Sequence, residues 1–182
     1  PNIYLMDEPL SSLDAKLRES LRVELKNIQT NLNATILYVT HDQAEATTLA
    51  DKIGVLKEGK IVQIGTPEEI YENPNSIYVS QRLGSPKINV LPSSLFNIDD
   101  NIPTVGIRPE NVLLGTGKYS GKIISIENLG SETVVAINFE GHEVLSSIQG
   151  AYKASINETI NFDINTNKVL TFNKEGDRIN ER

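Results

Sequence analysis

Two short apolar runs, at residues 3–6 and 34–39, are each closed by polar and acidic residues and separated by one stretch of helical period. That arrangement constrains the fold more than any other feature of the chain. Runs of this length fit strands buried on both faces of a parallel sheet, although periodicity alone does not separate such a strand from a piece of buried helix. Between them Leu17, Leu21, Leu25, Ile28 and Leu32 recur at spacings of four, four, three and four. This predicts an amphipathic helix of about six turns over residues 11–33, with its charged residues largely on the opposite face. After the second run, Asp42 and Glu45 have the spacing of a capping box, opening a short helix whose inner face is Ala46, Leu49 and Ala50. Strand, helix, strand, helix is the order of a right-handed βαβ unit.

The rest of the chain changes character. Residues 53–56 and 60–64 flank Glu58-Gly59, a hairpin signal. Thr66-Pro67-Glu68-Glu69 has an N-cap, a proline at the first helical position and a closing glutamate. That helix ends at Asn73-Pro74, a further short one runs through residues 78–83, and Gly84-Ser85-Pro86 begins a linker. Beyond about Lys87 the period becomes two: Val135, Ile137 and Phe139 alternate with Ala136, Asn138 and Glu140 before a Gly141-His142 turn, and Ile160, Phe162 and Ile164 alternate in the same way. Short strands punctuated by glycine predict a small antiparallel barrel or sandwich. The expected domains are therefore an α/β part over 1–86 and an all-β part over 87–182.

Composition excludes several kinds of function. Lys+Arg 17 against Asp+Glu 24 gives a net charge of −7, and both halves are net acidic, so neither reads as a nucleic-acid-binding module. There is no cysteine, which removes disulfide scaffolds, thiolate metal sites and cysteine nucleophiles. The two histidines, His41 and His142, do not make a multi-histidine metal site. No run approaches the roughly 20 apolar residues of a membrane span, and no basic-then-apolar leader is visible, so a cytoplasmic protein is expected. The chain starts Pro1-Asn2 and enters an apolar run at once, which reads as the middle of a longer polypeptide.

Three short segments carry chemistry. Asp7 and Glu8 stand at the C-terminal end of the first run, the edge where open α/β sheets bind ligands. An aspartate there can hold Mg²⁺ beside nucleotide phosphates, and a glutamate one residue on can orient and deprotonate a water. The plainer reading, favoured for the pair taken alone, is an ordinary Asp-Glu at a strand end. Ser11-Ser12-Leu13-Asp14 comes next, and its plainer reading is helix capping. Thr40-His41-Asp42 closes the second run, which puts His41 at the same edge as Asp7 and Glu8. An imidazole there can bond a terminal phosphate and hold an attacking water, whereas an isolated loop histidine more commonly bonds backbone.

Together these segments resemble the second half of an ATP-binding-cassette (ABC) ATPase. Residues 3–9, Ile-Tyr-Leu-Met-Asp-Glu-Pro, resemble its Walker B segment. Ser-Ser-Leu-Asp at 11–14 resembles its D-loop, and Tyr-Val-Thr-His-Asp-Gln-Ala-Glu-Ala at 38–46 its His switch. The resemblance implies that Asp7 serves Mg²⁺, Glu8 is the general base, His41 contacts the γ-phosphate of ATP, and Ser12 with Asp14 reports on the partner's site. Residues 59–71 and 83–86 are similar to the importer branch. Gly106-Ile107-Arg108-Pro109-Glu110 and Leu129-Gly130-Ser131-Glu132-Thr133 are similar to the regulatory domain of carbohydrate-importer ATPases, most closely the maltose and glycerol-3-phosphate group. Ser12 stands where Asn is common and Asn111 where His is common. The implied fold is a partial RecA-like P-loop ATPase core followed by an all-β, OB-like regulatory domain. The implied assembly is a homodimer beneath two transmembrane permease subunits on the inner face of the membrane, fed by an extracytoplasmic solute-binding protein. A regulatory protein on the C-terminal domain is also implied, and nucleic acid is not.

A phosphate-cradling G-x-x-x-x-G-K-[ST] loop occurs nowhere in the sequence, nor does an LSGGQ signature. Without a backbone N–H cradle and its lysine most triphosphate contacts are lost. The expectation is a C-terminal fragment of an ATPase that does not hydrolyse ATP by itself, with residues 1–86 locally disordered, strand-swapped or dimeric. A non-catalytic dimerisation or regulatory module is the alternative. Single-strand nucleic-acid binding by an OB-type surface is disfavoured by the negative charge and few aromatics.

Overall fold

The computed structural model describes residues 3–99 and 101–179, and the chain divides into two compact units between Asn73 and Pro74. In the first, β1 (Ile3–Asp7) and β2 (Thr35–Val39) pair in parallel, with Ile3 opposite Thr35 and Asp7 opposite Val39. A parallel pair needs a crossover of a dozen or more residues, and α1 (Ala15–Leu32) supplies it. The helix begins later than its periodicity predicts because Asp14 is the N-cap, its side chain accepting the Leu17 N–H at 3.0 Å. Upstream, the N–H groups of Ser11 and Leu13 bond to the carbonyls of Glu8 and Leu10 in successive tight turns. Asn33 ends the helix in the left-handed region at φ 45°, its N–H returning to the carbonyls of Gln29 and Thr30.

Tyr4, Met6, Ile36 and Tyr38 are half-buried on one face of this sheet, while Ile3, Leu5, Leu37 and Val39 are exposed on the other, Leu5 at 75% and Leu37 at 62%. Burial on both faces is thus not met among the described residues. A two-stranded ribbon with one crossover helix covers one face at most. Nor does α1 contain a buried residue: Leu21 and Leu25 are half-buried, and Leu17, Ile28 and Leu32 are exposed.

Next come α2 (Gln43–Leu49), then the hairpin β3 (Ile53–Lys57) and β4 (Lys60–Gly65). Glu58 and Gly59 turn it with φ 49° and 76°, as a two-residue turn with both central residues left-handed requires. The last helix, α3 (Pro67–Glu72), has the full capping box between Thr66 and Glu69, and its Ile70 is completely buried.

The second unit opens with α4 (Ile77–Ser80), capped by Ser76 and shorter than the expected run through residue 83. Arg108 is buried and donates from Nη1 to the carbonyls of Ser80 at 2.9 Å and Leu83 at 2.7 Å, fixing the chain as it leaves the helix. Residues 74–86 therefore group with the second unit. Its strands are β5 (Asn89–Pro92), β6 (Thr104–Ile107), β7 (Val112–Asn128), β8 (Glu132–Phe139), β9 (His142–Gln149), β10 (Thr159–Ile164) and β11 (Leu170–Phe172). They form a four-stranded antiparallel sheet, β10-β7-β8-β9, and a three-stranded one, β11-β6-β5. One core joins them: Leu91, Val105 and Ile107 pack with Val112, Ile123, Val135, Ile137, Val144 and Phe162. Phe96, Tyr119, Phe139 and Phe162 stack within it, the Phe139 and Phe162 rings edge-on at 5.1 Å. The β8–β9 turn is Glu140-Gly141, and His142 already belongs to β9 rather than to the turn.

Candidate functional site

Parallel pairing sets the ends of β1 and β2 side by side, so the residues after Asp7 meet the residues after Val39. The Glu8 N–H extends the ladder by one bond to the Val39 carbonyl at 2.8 Å. Glu8 then adopts φ 43°, a left-handed conformation that costs a residue with a side chain about 1–2 kcal/mol. Its carboxylate meets His41, with Oε1 2.9 Å from Nδ1. The Ser11 hydroxyl donates to the Glu8 carbonyl at 2.9 Å, holding the turn closed. The bond to Glu8 and the charge of its carboxylate raise His41 above the ordinary histidine pKa, which favours the protonated ring.

Behind His41 the loop is pinned by α2. The Asp42 carboxylate caps that helix, accepting from the N–H groups of Ala44 at 2.8 Å and Glu45 at 3.1 Å. Burial pushes the Asp42 carboxyl up, but those two amides and the guanidinium groups of Arg22 and Arg18 outweigh it and hold it below the ordinary carboxylate value. Glu45 does not close the expected capping box. It is buried, and its Oε2 accepts instead from the hydroxyls of Thr40 at 2.7 Å and Tyr38 at 2.9 Å. Those hydroxyls offer a buried carboxylate two donors, where a box would offer one backbone N–H. Burial, then the bond to Glu45 and its charge, raise the Tyr38 phenol well above its ordinary value. The Thr40 hydroxyl also accepts from the Asp42 N–H at 3.0 Å, so the loop is held from both sides of His41.

Of the residues singled out from sequence, Glu8 and His41 are brought into contact. Asp7 lies beside them in sequence, exposed at the end of β1. Asp14 is engaged as the cap of α1, Ser12 is exposed, and neither bonds to Glu8 or His41. Tyr38, Thr40 and Glu45, which surround the pair, lie in the segment that resembles the His switch but were given no role there, and Arg18 and Arg22 lie outside every motif. Arg18 and Arg22 were nonetheless readable as a cationic row at i and i+4 on α1. Among the described residues no group of three or more His, Asp or Glu is placed to hold a metal ion. A lone exposed carboxylate fits Mg²⁺, which keeps most of its waters and takes substrate phosphate oxygens besides one or two carboxylates.

No family model matches the chain. Individual proteins do. An uncharacterized ABC transporter ATP-binding protein, y4oS of Sinorhizobium fredii, is 39% identical over 171 residues, covering 82% of this chain and 46% of that protein. The sn-glycerol-3-phosphate import ATP-binding protein UgpC of Bartonella bacilliformis is 38% identical over 188 residues, covering 96% and 54%. These matches put the chain in the class of ABC transporter ATP-binding proteins, and the chain spans about half the length of the curated relatives it matches. Within that class its matches include the glycerol-3-phosphate type and the sulfoquinovosyl glycerol transport ATP-binding protein SmoE of Agrobacterium fabrum, which is 34% identical over 204 residues and covered to 57%.

Proposed function

We propose that the chain forms part of the ATP-hydrolysing subunit of an importer for sugars or glycerol 3-phosphate, supplying the water-activating half of the site and an OB-like regulatory domain. The observation that carries this is the pairing of Glu8 with His41 at the C-terminal edge of two parallel strands, beside Asp7. Bound Mg²⁺-ATP supplies the electrophilic phosphoryl group together with the cation that neutralises it. Asp7 would hold the cation. Glu8 orients the attacking water and takes its proton on a carboxylate oxygen, and the His41 imidazolium donates toward the γ-phosphate side. Ser12 and Asp14, on the turn before α1, face a second copy in the homodimer and report its state. The dimer works under two permease subunits at the cytoplasmic face of the membrane, supplied by a solute-binding protein. Its β-rich domain receives regulatory proteins. No helix among the described residues is long and apolar enough to cross a membrane.

The phosphate cradle is missing from the sequence, so the residues present fit the metal and water end of the nucleotide and not its triphosphate. Calorimetric titration of Mg²⁺-ATP into this chain, and into the chain extended upstream by a segment that carries a phosphate-cradling loop, tests the reading. Binding to the extended protein alone is expected. Tight binding to the 182 residues by themselves would overturn it. A second reading, a non-catalytic dimerisation and regulatory module, draws on one contrast: the second unit has a complete apolar core, whereas the first leaves a sheet face exposed.

A further inference from the structure

Arg18 joins the two loops of the site. Its Nη2 donates to the Leu13 carbonyl at 2.9 Å and its Nη1 to the Asp42 carboxylate at 3.4 Å. Leu13 lies in the turn that carries Ser12 and Asp14, and Asp42 directly succeeds His41. The root of the side chain is fixed as well, because the Arg18 N–H bonds to the Asp14 carbonyl at 2.9 Å in the first turn of α1. Asp42 is equally constrained by its two capping bonds, with Arg22 one helical turn along at 3.9 Å. A planar guanidinium grips a carbonyl and a carboxylate at the same time, which the point charge of an ammonium does not reproduce.

We propose that Arg18 is a positioning residue that locks the turn at 11–14 to the loop at 40–42, so that the position of that turn sets where His41 stands relative to Glu8. The link itself stands on geometry, and only its consequence for hydrolysis rests on the function proposed above. A second copy seated against Ser12 and Asp14 would thereby act on His41 through Arg18, without touching it.

The chain has two histidines, and His142 lies in the other unit, so their ring resonances give a probe and an internal control in one spectrum. In Arg18→Ala the His41 signals should move toward those of a free imidazole while the His142 signals stay in place. Arg18→Lys keeps the charge without the fork and should move them in the same direction, which guards against loss of folding in the alanine variant. Glu8→Gln serves as the positive control for a displaced ring. His41 signals unmoved by Arg18→Ala, or fully restored by lysine, would overturn the proposal. In the extended protein, Arg18→Lys should lower kcat by about tenfold or more with KM for ATP unchanged, as misplacement of a reacting group does. An unchanged kcat would remove the catalytic consequence. Absence of hydrolysis in the parent protein would instead overturn the proposed function, leaving the ring signals to judge Arg18.

Discussion

Replacing Glu45 tests whether the His41 loop is held from behind. The carboxylate is 2% exposed and is the acceptor for two hydroxyls, Thr40 at 2.7 Å and Tyr38 at 2.9 Å. In Glu45→Ala both lose their charged acceptor. A buried donor left unmade costs about 1–3 kcal/mol. Tyr38 and Thr40 are only half-buried, so water replaces part of each bond and the lower end of that range applies to both. The expected loss is about 2–3 kcal/mol for the first unit. Glu45→Gln keeps one acceptor oxygen and loses the charge, since hydrogen bonds to ionised groups are about twice as strong as neutral ones, so about 1 kcal/mol is expected. At a urea slope of about 1–2 kcal/mol/M these losses lower the unfolding midpoint by about 1–3 M for alanine and by about 0.5–1 M for glutamine. The assay is hydrogen exchange of the α2 amides across a urea series, with the amides of β7 and β8 as an internal reference. A midpoint for Glu45→Ala within error of the parent would refute the reasoning, as would glutamine and alanine variants of equal stability.

On the proposed function, Glu8→Gln in the extended protein should lose about 10²–10⁴-fold in hydrolysis while still binding nucleotide, because only water orientation and proton transfer are removed. His41→Ala should likewise cut turnover more than binding, and either variant turning over at the parental rate refutes the role given to that residue. Because the folded state raises the His41 pKa, the Glu8–His41 pair contributes fully below the ordinary histidine value of 6.5 and is lost as pH rises through the raised one. An NMR titration of this chain should therefore place His41 above the ordinary histidine value, and a His41 pKa at or below 6.5 contradicts the pairing. At Gly117, with φ 122°, an added Cβ would lie 2.4 Å from the Phe162 carbonyl oxygen. Gly117→Ala should therefore destabilise the second unit by about 2 kcal/mol or more, and a melting profile identical to the parent would show that β7 yields there at no cost.

The features legible in the sequence are those set by local physical choices. Parallel strands put their C-terminal residues at one edge whatever surrounds them, so Asp7, Glu8 and His41 were bound to converge once residues 3–6 and 34–39 were read as paired strands. The caps at Asp14, Asp42 and Thr66 are equally local, each a short polar side chain bonding an amide two or three residues on. Glu45 was not legible, because an Asp-x-x-Glu pattern leaves the glutamate a choice of partner. That choice was made by the Tyr38 hydroxyl, which strand alternation delivers to it. The glycines of β7 misled for a related reason. Glycine was expected to punctuate short strands, yet Gly115 and Gly117 sit inside one strand of 17 residues, where the pairing with β10 jumps from Ser120–Asn161 to Leu114–Phe162. The break at residues 84–86 reads as a linker because it is rich in Gly, Ser and Pro. A buried guanidinium from residue 108 gathers the preceding carbonyls into the second unit, and no local pattern announces that. In each of these cases the unread contact depends on a partner set by tertiary structure. Arg18 is the instance with most bearing on function: its position on α1 was predictable, but its grip on Leu13 and Asp42 exists only once α1 has been laid beside the sheet edge.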